Sequence, residues 1–498
     1  MRFTERVKNM IRSWLEIQPA PGRGLTIREP VSHETNVLRN KIWYRGDASE
    51  LDQLFKLLGD DPVARARFWA AAPENEHIRK AHSGLPGIMA DTLAGVVKAD
   101  LNELDFRDRA AAVRWKELAE ENGFEGLVNQ AVAETLVTGD GAFKISLDPE
   151  VSERPILEFR GADRVDYVRR HGRITGIHFL SPVGDRGRML QEVYSPGGVR
   201  YVLLDGDKEL PLEAEEDTAD LRPVSFDGDF MLAVPLMFWP SSRWRGRGRS
   251  IYDSKTDAFD AHDEIISQWM DAVRAGRVQR YIPGALIPRD ANTGELCSLS
   301  RFGADFVSIG DNLKEGAENK IDTVQPEIRY EAFLASYTST LDMCLQGIMS
   351  PATLGIDVGK MSSADAQREK KDITGMTRNA ITDALEKALP LLARVALAAE
   401  DILAGKRPGE YDATVSFGEY GAPSFDSRVQ TIAGAATASV MSVEAQVDEL
   451  WGASKDDAWK AREVERIKAE RGIEQTGEPG IGEQEGAAVG FALPGGAE

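Results

Sequence analysis

The chain has 498 residues, 42% of them hydrophobic, and 81 acidic against 60 basic side chains give it a formal net charge of -21. That length accommodates about two or three domains. The charge excludes a protein that grips nucleic acid over its whole surface, because such grip comes from Lys and Arg displacing counterions. It leaves room for one that lets DNA pass without holding it. Cys297 and Cys344 make no disulfide or metal framework and read as buried thiols in a reducing compartment. His33, His77, His82, His171, His178 and His262 form no metal-binding array, and His77 and His82 read as a surface turn. No metal and no cofactor is expected. No apolar run reaches the length of a membrane span.

Residues 1–45 read as an arm. Phe3, Val7, Ile11 and Trp14 share one face of its amphipathic start, while Glu5 and Glu16 count against a secretory signal. Leu51, Leu54, Phe55 and Leu58 predict a helix over 47–69, and further helical runs span 85–97 and 110–137. From 141 to 238 the pattern changes to short alternating runs separated by turns such as Ser195-Pro196-Gly197-Gly198, an antiparallel β region. The acidic run 205–220 reads as a solvated loop. The most basic patch follows: Arg243, Arg245, Arg247 and Arg249, with Gly246 and Gly248 between. It is either a turn whose arginines pair with acidic neighbours, or a contact to DNA or to another subunit.

Counted from Asp253 at ~100° per residue, Asp257, Asp260, Glu264 and Asp271 fall on one helix face, and Phe259, Ile266, Met270 and Val273 on the other. A small β module follows. Then Tyr330, Phe333, Leu334, Tyr337, Leu341, Cys344, Leu345 and Ile348 make one apolar stripe, whose expected partner is the Phe259–Val273 face. Ser362 and Asp365 form a capping pair that opens a third long helix carrying Ile373, Met376, Ala380 and Ala384 on one side. Pro390 inside that helix predicts a kink near Leu389. A strand near 412–420 leads to helices at 424–441, 442–451 and 456–471, and the Gly- and Glu-rich end is expected to be disordered.

The stretch "SPATLGIDVGKMSSADAQREK" has the ingredients of a phosphate-binding loop but not its spacing. Only three residues separate Gly355 from Gly359, and Met361 stands after Lys360 where a hydroxyl would be required. An ATP site is therefore not expected.

That stretch, with "TRNAITDALEKALPLL" after it, "GRGRSIYD" before the first stalk helix and "NKIWYRGDASELDQLF" near the start, resembles the portal proteins of tailed double-stranded DNA bacteriophages of the siphophage type. The likeness in element order runs over roughly residues 30–470. It implies an α+β portal fold: an arm at 1–45, a wing at 46–249, stem helices at 250–277 and 329–349, and a clip at 278–328. A tunnel loop at 350–363 follows, then a kinked wing helix and strand at 364–423, a helical crown at 424–471 and a tail at 472–498. It further implies a homo-oligomeric ring, commonly a dodecamer, at one capsid vertex of the virion, assembled in the host cytoplasm. Double-stranded DNA would pass through the tunnel. The terminase large subunit, the major capsid protein and head–tail connector proteins would be partners, with no membrane.

The resemblance places Thr353, Leu354, Gly355, Ile356, Asp357, Val358, Gly359, Lys360, Met361 and Ser362 in the tunnel loop. Asp253, Asp257, Asp260 and Glu264 line the tunnel on this reading or face a neighbouring subunit. No catalytic residue is expected. The competing readings are a nucleotide-driven DNA-packaging enzyme, for which no Walker pair is present, and an acidic scaffold without a channel.

Overall fold

Helix formation at the start of the described chain is set by its caps. Ser32 sits in the extended region and its hydroxyl accepts the Thr35 N–H, opening α1 (His33–Arg45), which Gly46 closes at φ 72°. The structure is a computed structural model. It describes residues 31–57, 67–70, 78–206, 208–276, 279–283, 286–287, 305–309, 320–325, 327–356, 364–418, 425–438, 440–451 and 456–470. The chain divides into two units, Met1–Gly418 and Glu419–Glu498. The described residues mix helix and strand as the α+β expectation requires.

The first correction concerns the arm. Its last third is α1, whose Val37 and Trp43 are fully buried in the core of the first unit. Helix α2 (Ala48–Leu57) buries Leu51, Leu54 and Phe55 as expected; the continuation to 66 lies outside the described residues. Helix α3 (Leu85–Ala99) begins with Pro86 in its first turn and buries Met89, Ala90, Leu93, Ala94 and Val97. The single run expected over 110–137 is two helices, α4 (Arg109–Glu121) and α5 (Phe124–Thr138). Gly123 at φ 56° breaks the run, and Asn122 fastens the corner by bonding the carbonyl of Pro155 and the N–H of Leu157.

The β region forms two sheets. One has the order β10 (Ala233–Met237), β2 (Asp140–Ser146), β3 (Ile156–Gly161). The other runs β4 (Val165–Arg170), β5 (Arg173–Val183), β6 (Arg188–Ser195), β7 (Gly198–Asp205), β8 (Lys208–Leu210), and β9 (Val224–Ser225) pairs with β7. All these pairings are antiparallel. The tight turn joining β4 to β5 uses His171 at φ 50° and Gly172 at φ 80°, the left-handed pair that a two-residue hairpin turn demands. The acidic run is partly structured: it holds β8 and two short 3-10 turns around the buried Thr218.

Helices α6 (Thr256–Ala275) and α7 (Tyr330–Leu345) run antiparallel. Lys255 Nζ bonds the Met343 carbonyl, His262 Nδ1 lies 2.9 Å from Thr340 Oγ1, and Trp269 stacks on Phe333 at 6.1 Å, so the register descends one helix as it climbs the other. Between them sits a three-stranded sheet with β11 (Gln279–Pro283) in the middle, parallel to β12 (Asp305–Ile309) and antiparallel to β13 (Asp322–Val324). Helix α8 (Ala364–Leu403) continues through Pro390. Ile381, Leu385, Leu389, Leu392 and Ala396 form its buried stripe, whereas Met376, on the side that also carries Ile373, Ala380 and Ala384, is 73% exposed. A short pair of strands, β1 (Asp105–Phe106) with β14 (Ala413–Thr414), closes the unit.

The second unit holds α9 (Phe425–Thr437), α10 (Val443–Trp451) and α11 (Asp457–Glu470). Trp451 meets Trp459 edge-on at 5.7 Å, and Lys460 pairs with Asp448 at 2.9 Å. His77, Cys297, Ser362, the opening amphipathic stretch and the expected disordered end lie outside the described residues.

Candidate functional site

The segment leaving α7 is built before it reaches α8. Gly347 at φ 76° ends the helical path, and Ser350 then caps a 3-10 turn, Pro351–Leu354, by accepting the Ala352 N–H. Gly355 closes that turn at φ 71°, with its N–H on the Ala352 carbonyl. A left-handed residue is needed there, which explains the first glycine of the loop without any phosphate. Thr353, Leu354, Gly355 and Ile356 are therefore in a defined turn, and Leu354 and Ile356 pack partly against the core. Asp357, Val358, Gly359, Lys360, Met361 and Ser362 lie outside the described residues.

The carboxylate stripe is not one exposed face. Helix α6 starts at Thr256, so Asp253 belongs to the turn before it, where its carboxylate accepts the amides of Asn36 (2.8 Å) and Asn40 (3.1 Å) and the N–H of Ser250. Asp260 is 6% exposed and accepts the backbone N–H groups of Phe68 and Trp69. Its burial raises its pKa above the ordinary carboxylate value, against the lowering effect of those two N–H bonds. Asp257 is exposed and pairs with Arg67 at 2.6 Å; Glu264 is half-buried and accepts from Gln268. The stripe that sequence angle places on one face is thus divided between intrachain bonds and solvent.

The expected apolar face of α6 is also redistributed. Phe259 packs on Trp43 and Tyr252 in the core, and Val273 is 51% exposed. His262 and Trp269 make the contact with α7 instead, both against Tyr337. His262 is fully buried, which lowers its pKa. On α7 itself, Leu341, Cys344 and Leu345 are buried, while Tyr330 and Leu334 are 61% and 44% exposed. Burial pushes the Cys344 thiol up to about 12, so it stays protonated.

The arginine turn separates into two behaviours. Arg247 forks onto Asp140 at 2.8 and 3.1 Å, donates to the carbonyls of Ala162 and Val165, and lies over the Tyr167 ring. It is a structural clasp between the turn and the sheets. Arg249 covers Trp239. Arg243 and Arg245 are exposed and form no ion pair with a described residue.

The strongest feature missed in the sequence is a buried cluster on α6. Asp263 accepts from His82 Nδ1 at 2.6 Å, Trp69 Nε1 at 3.1 Å and the Ser83 N–H at 3.0 Å, and Ser267 Oγ accepts the Ala81 N–H. His82 is therefore not a surface residue. Together Asp260, Asp263 and Ser267, one per turn, strap Phe68, Trp69, Ala81, His82 and Ser83 to this helix. Arg39, nearly buried beside Arg67, has its pKa lowered to about 10 by burial and by that neighbouring charge. Among the described residues no group of His, Cys, Asp and Glu is arranged to hold a metal ion, and no helix is long and apolar enough to cross a membrane.

No family profile and no curated protein matches the chain. Solved structures similar to it include the virion of a native gene transfer agent particle (12% identity, TM-score 0.34) and the neck of the native particle computed with C12 symmetry (13%, 0.33). The neck of the empty particle computed with C6 symmetry is a third (14%, 0.34). Each similarity covers 76% of this chain and 89% of the other.

Proposed function

We propose that the chain is the repeating subunit of a ring-shaped channel for double-stranded DNA, a portal of the tailed-phage type, and that it performs no catalysis. One observation carries the reading: a helix pair with a small sheet between its helices leads directly to the Ser350–Ile356 segment and α8, and the helices and the region between them leave apolar side chains exposed. Val273, Leu286, Ile321, Val324, Tyr330 and Leu334 are 51%, 46%, 55%, 42%, 61% and 44% exposed. Exposed large apolar side chains in this number favour a partner that covers them. In a closed ring each pair covers the next, and one copy of the chain supplies both sides of the contact.

On this reading Val278 to Val324 docks the terminase large subunit and later the head–tail connectors. The wing meets the major capsid protein at the vertex. Asp257 and Glu264, the stripe carboxylates outside the core, repel the passing phosphates or meet the neighbouring subunit; Arg243 and Arg245 take a subunit or DNA contact. A wall with few cations suits a conduit, since each Lys or Arg that neutralises a phosphate makes DNA harder to release. Native mass spectrometry tests the assembly directly. A discrete multiple of the 54.7 kDa chain is expected, and a single-chain mass at high concentration would refute the reading.

A further inference from the structure

The segment after α7 changes partners at Ser350. Ile348 and Met349 still bond the Leu345 carbonyl at the end of α7. Two threonines one turn apart on α8 bond this stretch of chain, Thr374 at Ser350 and Thr353 and Thr377 at Ile348 just before them. Thr374 Oγ1 accepts the Ser350 N–H at 2.8 Å and lies 3.1 Å from Thr353 Oγ1. Thr377 Oγ1 donates to the Ile348 carbonyl at 2.6 Å. Thr374 is fully buried and Ser350 is 2% exposed, so these bonds form where water does not compete for them.

Threonine in a helix ordinarily turns its hydroxyl back to its own backbone. Thr382, two turns along the same helix, does so, bonding the Asn379 carbonyl. Thr374 and Thr377 face another segment instead. Each secures a backbone group that the broken end of α7 would otherwise leave unpaired in the core.

We infer that Thr374 and Thr377 are positioning residues: Thr374 fastens Ser350–Ile356 to α8, and Thr377 fastens to the same helix the Ile348 backbone from which that segment springs. Small shifts between the paired helices then leave this segment in place relative to the DNA. The inference rests on the channel reading above and adds to it the element that carries the channel segment.

Thr374→Val keeps the side chain's shape and removes its hydroxyl, whereas Thr374→Ser keeps the hydroxyl. Thr377→Val is the second variant should the first fail to fold. Hydrogen exchange on the purified full chain should show a peptide covering 348–356 exchanging roughly tenfold faster in either valine variant, with the serine variant matching the parent. The valine variants should still give the parental oligomer mass, yet particles assembled from them should retain several-fold less DNA, as roughly follows from losing a single positioning bond. Parental exchange in the valine variants would overturn the anchoring. Faster exchange with parental DNA retention would overturn the positioning role. Failure of the unsubstituted chain to form any oligomer would instead refute the channel reading, and it is seen before a variant is made.

Discussion

Asp263 gathers three donors from a segment lying 181 residues earlier in the chain, counted to His82. The carboxylate and the Trp69 and His82 rings are buried, so truncating it strands an indole N–H and an imidazole away from water and frees the half-buried Ser83 amide. Asp263→Ala should destabilise the first unit by about 3–5 kcal/mol in urea unfolding. Asp257→Ala, which breaks an exposed pair with Arg67, should cost no more than about 1 kcal/mol. Neither ranking was legible in the sequence: on a helical wheel Asp257 and Asp260 are equivalent, and only the distant Phe68 and Trp69 amides separate them. His82 looked like a turn residue for the same reason. Asp260 also sets a pH dependence. Burial raises its folded pKa above the unfolded value of 3.8, so its protonated form favours the fold. Its contribution is full below the unfolded value and is lost as pH rises through the folded one. Asp260→Asn should flatten that part of the stability profile, measured by urea midpoints across the acidic range; a profile unchanged from the parent would contradict the assignment.

Among the elements, those with a clean apolar stripe were readable and those held by polar bonds were not. Helix α3 and the C-terminal half of α7 bury the residues their periodicity selects. Helix α1 reads as an arm in the sequence because its buried face includes Asn36, Arg39 and Asn40, and Asp253 receives the two asparagine amides only in the fold. The exposed half of the α7 stripe has an element-level consequence. Leu334→Ser should change the unfolding free energy of the separate chain by no more than about 1 kcal/mol, because the side chain is already 44% exposed there. It should nevertheless reduce assembly, read by native mass spectrometry. Gly355 was legible as a conformational glycine. Open space surrounds it, so Gly355→Ala meets no clash and should cost about 1 kcal/mol through its positive φ alone.

For the whole molecule, the acidic balance and the exposed apolar helix pair point the same way. On the proposed reading a net charge of -21 keeps the hold on DNA weak, and the exposed apolar side chains are covered by the next copy. The fold class and the order of helix, small sheet, helix, glycine turn and long helix were readable from periodicity and punctuation. How one copy meets the next depends on surfaces that one sequence pattern does not rank. Electron microscopy of the purified full-length protein tests the central claim most directly. Closed rings with an axial opening wide enough for duplex DNA, and with Ser350–Ile356 nearest the axis, are the expected result. Isolated single chains, or rings whose 350–356 segment lies at the outer rim, would contradict it.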